Sequence, residues 1–394
     1  MMLALEYHRS PVRYLAAGRL PSRLHPPAVP SLAPMRLAER PEPAPPGPGW
    51  TRLRPLLSGI CGSDLALLAG RVSPYLSPLV SLPFVPGHEI VAEVIDEVFD
   101  ETGELAPGTR VVVDPVLSCR TRGTGPCPPC AAGHANRCDR VNAGHVSPGL
   151  QTGFCADTGG GWAERFVAHR SQLHPVPGSL PSEQALLAEP LACAVHAVRR
   201  IDIPRGAKVV VVGAGTVGLL TVLALRELTA AGPVTVIARH PHQRRRARAL
   251  GATDVLEPRN ALRGVRRATG GTLVRPDLGP AHLLGGADVV FECTGGQGLE
   301  TALRMTRAGG AVVLSGMPSR PVDLTPVWYR ELRVVGSYAS RDDFATALDL
   351  ASHAALGGFV DGVYPLARWR DALGHALAAG RSGSVKVAFD PRAR

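Results

Sequence analysis

Four cysteines, Cys119-x7-Cys127-x2-Cys130-x7-Cys138, fall within 20 residues of a 394-residue chain, among Gly and Pro that can fold a small lobe. Four thiolates around a tetrahedral zinc make a closed structural site, and the C-x2-C core offers two ligands from one turn; disulfide pairing is the competing reading. A second group is scattered along the chain. Cys61 lies in Gly59-Ile60-Cys61-Gly62-Ser63-Asp64, His88 and Glu89 in Pro86-Gly87-His88-Glu89, and Glu189 in Ala188-Glu189-Pro190. Each alone reads as core filling. Together, a thiolate, an imidazole and two carboxylates make the ligand set of a catalytic zinc that keeps one position open for water or substrate.

A third pattern, Gly213-x-Gly215-x-x-Gly218, follows the apolar run Lys208 to Val212 and opens a helical stretch through Thr216 and Val217. In that context the first glycine allows a tight turn, the second lets backbone approach a pyrophosphate, and the third lets helix pack close to strand. The helix N-terminus then offers free N–H groups to the phosphates. A Gly-rich turn in an ordinary α/β sheet is the bland alternative. A free ribose 2′-hydroxyl calls for an acidic residue about 20 residues on, but the second strand ends Ile237-Ala238-Arg239-His240. Arg239 suits a 2′-phosphate instead, which favours NADP over NAD.

The elements that must carry these groups alternate in character. Residues 21–48 hold ten prolines and read as an extended surface segment after a short strand around Leu3 to Glu6. Ile90 to Ile95, Val111 to Val113 and residues 165–177 read as a β-rich half with irregular loops. After Pro181 strands and helices alternate: Val209–Val212, a helix through Leu225, Val234–Ile237, a basic helix to Leu250, Asp288–Phe291, a helix over Leu299–Met305, and Ala311–Leu314. Short apolar strands separated by helices mark a parallel sheet covered on both faces, hence an α/β fold. From about Asp342 the chain returns to a helix and a last strand, Ser384 to Phe389.

Composition sets the exclusions. The net charge is +10, yet 41 of the 43 basic residues are arginine; Lys208 and Lys386 are the two lysines. That excess is spread along the chain, and its one dense run, Arg244, Arg245, Arg246 and Arg248, reads as a solvated helix face, so no nucleic-acid partner is expected. The uncharged stretch Val209 to Leu225 falls short of a membrane span, and Glu6, Arg9 and Arg13 stand where a secretory leader would be apolar. A cytoplasmic chain with reduced thiols follows, which supports zinc over disulfides.

From about residue 50 to the end, the sequence resembles the zinc-dependent medium-chain alcohol dehydrogenase family, and most its polyol and threonine dehydrogenase branch. The motifs around Cys61, His88 and the glycine fingerprint carry the likeness, with Glu189-Pro190-Leu191 and Glu292-Cys293-Thr294-Gly295. The resemblance implies a GroES-like, mostly-β catalytic domain over 1–182 with a zinc lobe at about 117–140, a Rossmann doubly wound domain over 183–341, and a return to the catalytic domain over 342–394. It implies hydride transfer between a secondary alcohol (polyol, amino alcohol or cyclitol) and NAD(P), giving the ketone, with two zinc ions per chain. Cys61, His88 and either Glu89 or Glu189 would hold the catalytic zinc, the two carboxylates exchanging as water enters or leaves. Ser63 would pass on the proton and Asp64 would orient His88. A homodimer or homotetramer is implied, joined near Ala311 to Leu314.

Two positions depart from the family pattern. Thr124 stands where its structural site usually has a thiol, the extra one lying at Cys119, and Ala66 replaces a proton-relay histidine. A non-catalytic zinc and dinucleotide relative, acting as sensor or structural protein, is the alternative; a zinc-free quinone or enoyl reductase would lack the ligand set. Loops around 64–84, 142–162 and 326–331 are the expected substrate surround. Trp162, Trp328 and Tyr329 are candidates to shape it or to pack the core, and Cys155, Cys193 and Cys293 are packing residues.

Overall fold

The opening strand, Met2–Tyr7, finds its partner across the proline-rich stretch: it pairs antiparallel with Met35–Arg40, Leu5 facing Leu37. This is a computed structural model, and it describes residues 1–20, 25–100, 103–295, 298–317, 321–339 and 342–393. The expectation of an extended segment over 21–48 is corrected at one helix. Residues 21–24 lie outside the described residues, but His25–Leu32 is helical. Pro26 and Pro27 fall in its first turn, where the missing N–H groups have no intrahelical partner in any case. Met35–Arg40 is a strand because the first strand supplies its ladder.

The chain divides into two compact units, one comprising Met1–Glu189 with Ala339–Arg394 and the other Pro190–Tyr338. Position 341, where the return was expected, lies outside the described residues. In the first unit a seven-stranded sheet runs in the order Val360–Tyr364, Lys386–Phe389, Trp50–Gly59, Ile90–Val94, Arg110–Val113 and Leu173–Pro175, with Phe166–His169 also paired to Trp50–Gly59. The C-terminal strand Lys386–Phe389 therefore lies directly beside the strand that ends at Gly59, two residues before Cys61. Trp162 belongs to this core: it is fully buried, donates its indole N–H to the Gly59 carbonyl at 3.3 Å and meets Phe389 edge-on. It does not shape a substrate surface.

The second unit carries six parallel strands in the order Asp254–Leu256, Val234–Ile237, Val209–Val212, Ala287–Glu292, Thr306–Leu314 and Arg333–Gly336. This order, reversing on either side of Val209–Val212, is that of the doubly wound dinucleotide-binding fold. Val209, Val210, Val211 and Val212 are all buried, as two-sided cover requires. One expectation fails. The stretch Ala311 to Leu314 is hydrogen-bonded on both sides and cannot be a joining edge; the outer strands are Asp254–Leu256 and Arg333–Gly336. Trp328 and Tyr329 are not core either, being strongly exposed on the helix Thr325–Tyr329 just before the edge strand.

Candidate zinc and dinucleotide sites

The four-cysteine lobe closes on itself. Cys119, Cys127, Cys130 and Cys138 place their sulfurs within 4.8 Å of one another, and among the described residues no other group gathers three or more such ligand atoms so closely. Cys119 and Cys138 Sγ stand 3.6 Å apart, Cys127 and Cys138 4.0 Å. Tetrahedral zinc with bonds of about 2.3 Å needs sulfur separations of about 3.8 Å, so the donor set fits. Backbone N–H groups of Cys127, Asp139 and Arg140 donate to Cys119, Cys127 and Cys138 sulfurs, the environment a thiolate requires. Burial pushes the Cys127 thiol up, but N–H groups of Asp139 and Cys130 outweigh it and bring it to about 7. Thr124 folds in without a thiol, its N–H donating to the Cys119 carbonyl at 3.0 Å.

The mixed site is assembled from distant segments of the first unit. Cys61 is the half-buried residue that starts the helix Gly62–Leu68, and its backbone N–H donates to Asp64 Oδ2 at 2.9 Å. The other Asp64 oxygen faces His88 Nδ1 at 3.5 Å, and both residues are buried. Ser63 Oγ lies 3.4 Å from His88 Nε2. Burial disfavours the charged imidazole, yet the Asp64 carboxylate and the Cys61 sulfur together hold its pKa well above the ordinary value. A thiol and an imidazole ring nitrogen thus face one another, with a carboxylate behind the ring, as metal-ligating histidines commonly have.

Glu89 behaves differently. It is 1 % exposed and turns both oxygens onto the Lys386 ammonium, at 2.7 and 2.6 Å. Gly59 makes room, since a Cβ there would stand 2.1 Å from Glu89 Oε2. Burial alone would lower the Lys386 pKa, but Glu89, Cys61 and Glu189 together raise it. Glu189, buried in the first turn of the helix Ala188–Arg199, therefore acts on the same point. Lys386 is the functional residue that sequence reasoning missed. Its signal was present, as one of two lysines in an Arg-rich chain, inside the apolar run Val385-Lys386-Val387-Ala388-Phe389.

In the second unit, each fingerprint glycine has a measurable reason. Gly213 adopts φ +99°, and a Cβ there would press on Thr294. Gly218 comes so close to the strand turn that a Cβ would stand 2.1 Å from the Gly213 carbonyl oxygen. Gly215 faces open space at the start of the helix Thr216–Leu228, which leads with Thr216 and Val217. That open cradle at a helix N-terminus fits a pyrophosphate. Arg239 is exposed beyond the strand Val234–Ile237, and its carbonyl accepts from the Arg244 guanidinium at 3.0 Å.

Two family descriptions match the chain: alcohol dehydrogenase GroES-like domain over residues 47–178, and zinc-binding dehydrogenase over 216–353. The chain belongs to the zinc-dependent medium-chain alcohol dehydrogenase family. It is 31% identical to a sorbitol dehydrogenase of Arabidopsis thaliana and 30% identical to an L-idonate 5-dehydrogenase of Vitis vinifera, each over 77% of both chains. The structure of a putative zinc-binding dehydrogenase from Sinorhizobium meliloti 1021, bound to NADP, matches with TM-score 0.72 and 29% identity over 99% of this chain and all of that one. The chain is accordingly an NAD(P)-dependent alcohol dehydrogenase, with a GroES-like unit and a Rossmann unit. Among the described residues, no helix is long and apolar enough to cross a membrane.

Proposed function

We propose that this dehydrogenase interconverts a secondary alcohol of the polyol class and its ketone, with zinc held by Cys61, His88 and Glu189. The observation that carries the ligand assignment is the pairing of both Glu89 oxygens with Lys386, which leaves Glu189 as the carboxylate for the metal. The sorbitol and idonate dehydrogenase relatives support the polyol class over amino alcohols and cyclitols. A bound zinc supplies Lewis-acid stabilisation of the substrate oxygen, lowering the pKa of its hydroxyl. Asp64 fixes the ring of His88, and Lys386 keeps Glu89 aside while balancing its charge. Ser63, 3.4 Å from His88 Nε2, takes the hydroxyl proton and passes it to water; Ala66 offers no imidazole to extend the path.

In the second unit, the N–H groups opening at Gly215, Thr216 and Val217 would bind the pyrophosphate between the turn of Gly213 and the packing of Gly218. Arg239, with Arg244 beside it, supports NADP over NAD. A second, structural zinc belongs to Cys119, Cys127, Cys130 and Cys138. The clustered thiols suit a reducing, cytoplasmic setting. The exposed edge Arg333–Gly336, with Trp328 and Tyr329 beside it, supports a homodimer joined there, to be measured by light scattering. The decisive experiment compares kcat/KM with NADP and NAD on a panel of secondary alcohols, polyols and aminocyclitols, alongside elemental analysis. Polyol turnover favouring NADP, with two zinc ions per chain, is expected; a preference for NAD would remove the role of Arg239, and failure to turn over any alcohol would sink the reading.

A further inference from the structure

Arg122 sits in the longer first loop of the cysteine lobe, between Cys119 and Cys127, and is completely buried. A guanidinium so placed must find acceptors. It finds four backbone carbonyls on one neighbouring stretch: Nη1 donates to Ala143 at 3.2 Å, Val146 at 2.8 Å and Ser147 at 3.3 Å, and Nη2 to Gly149 at 2.6 Å. The Arg122 carbonyl accepts in return from His145 N–H at 3.3 Å. Residues 143–148 form neither helix nor strand and Gly149 makes an isolated bridge to Val80, so these bonds, with Ser147 N–H on Asp157, supply the order that a ladder would otherwise give.

The stretch leads directly to the zinc site. Leu117 N–H donates to Leu150 and Thr152 N–H to Pro115, and Gly153 passes so near Gly87 that a Cβ would lie 2.9 Å from the Gly87 carbonyl oxygen. Phe154 then places its ring 5.7 Å from the His88 ring, backed by Phe84 at 5.4 Å.

We propose that Arg122 is a positioning residue for the dehydrogenase reaction: it clamps residues 143–149 under the cysteine lobe and thereby holds Phe154 beside His88 as an apolar wall for the substrate. The role of the wall rests on the catalytic reading of the Cys61 and His88 site, whereas the clamp itself can be read without turnover. The lobe thus serves the chemistry through a backbone clamp rather than through its metal.

The test uses the full-length, zinc-loaded enzyme and its Arg122→Met, Arg122→Lys and Phe154→Ala variants. Hydrogen exchange of residues 143–156 should accelerate by about tenfold in Arg122→Met and less in Arg122→Lys, with zinc content unchanged. KM for the alcohol should rise by about tenfold in Arg122→Met and Phe154→Ala, with kcat within about threefold. Should Arg122→Met fail to fold, Arg122→Lys combined with Phe154→Ala decides: KM effects that do not add support the shared wall, and additive effects overturn it. Unchanged exchange in the Arg122 variants overturns the clamp. Faster exchange with unmoved KM overturns its link to the substrate, and an inactive parent enzyme would instead remove the catalytic reading while leaving the exchange result intact.

Discussion

The two thiol sites of the first unit solve opposite problems with the same atom. The lobe collects four equivalent sulfurs from 20 consecutive residues, each sulfur within 4.8 Å of the rest, and surrounds them with backbone N–H groups. The Cys61 site draws on residues 61, 64, 88, 89, 189 and 386 and mixes sulfur, nitrogen and oxygen. It also builds in a cation, Lys386, and a carboxylate, Glu89, that neutralise one another out of water. Four equal ligands exhaust a metal's coordination and leave nothing to react. An uneven set, with one acid held aside and one half-buried thiol facing the His88 ring, does not close a metal's coordination in that way.

If that contrast is right, single substitutions should separate the two sites in turnover. The largest effect belongs to Cys61→Ser, expected to lower kcat/KM by about a thousandfold or more, because the metal's several kcal/mol of charge stabilisation go with it. Titration of NADPH by fluorescence should be nearly unchanged, since the fingerprint glycines lie in the other unit. Retained turnover would break the contrast at its root. Next comes Lys386→Met. It strands Glu89 as a buried, unpaired charge and should cost about 3–5 kcal/mol in urea unfolding, with much of the loss restored by adding Glu89→Gln. If the single variant is as stable as the parent, Glu89 has another partner and the assignment of Glu189 to the metal falls.

These two positions also show what could be read before the structure. The lobe was legible because its ligands are near in sequence, and the fingerprint because strand, glycines and helix occupy one contiguous run. The alternating pattern gave the strands Val209–Val212 and Val234–Ile237 directly, since a parallel sheet covered on both faces needs uninterrupted apolar runs. Lys386 was not seen, since its meaning comes from a ladder between Ala388 and Gly59, residues far apart in the chain. The helix His25–Leu32 was hidden by its prolines, two of which occupy the first turn while Pro30 lies inside. The edge at Arg333–Gly336 was missed because strand order, not hydrophobicity, decides which strand lies outermost.

Smaller effects sharpen the comparison further. Ser63→Ala removes the hydroxyl 3.4 Å from His88 Nε2 and should lower kcat by about tenfold, most at low pH where proton release is uphill. A pH profile parallel to the parent's would mean that the proton leaves by water alone.

Cys130→Ser is the mildest in turnover and the most telling. Zinc should fall from two ions per chain to one, because three thiols no longer close a tetrahedral site. The thermal midpoint should drop, yet kcat should stay within about threefold, since the lobe cysteines share no residue with the Cys61 and His88 site. Whatever is lost should fall on KM, because the loop from Cys119 to Cys127 carries Arg122, and Arg122 reaches the segment that ends in Phe154. A large fall in kcat with KM unmoved would mean that the lobe metal acts on the chemistry itself, and the division between a closed structural site and an open reactive one would no longer describe this enzyme.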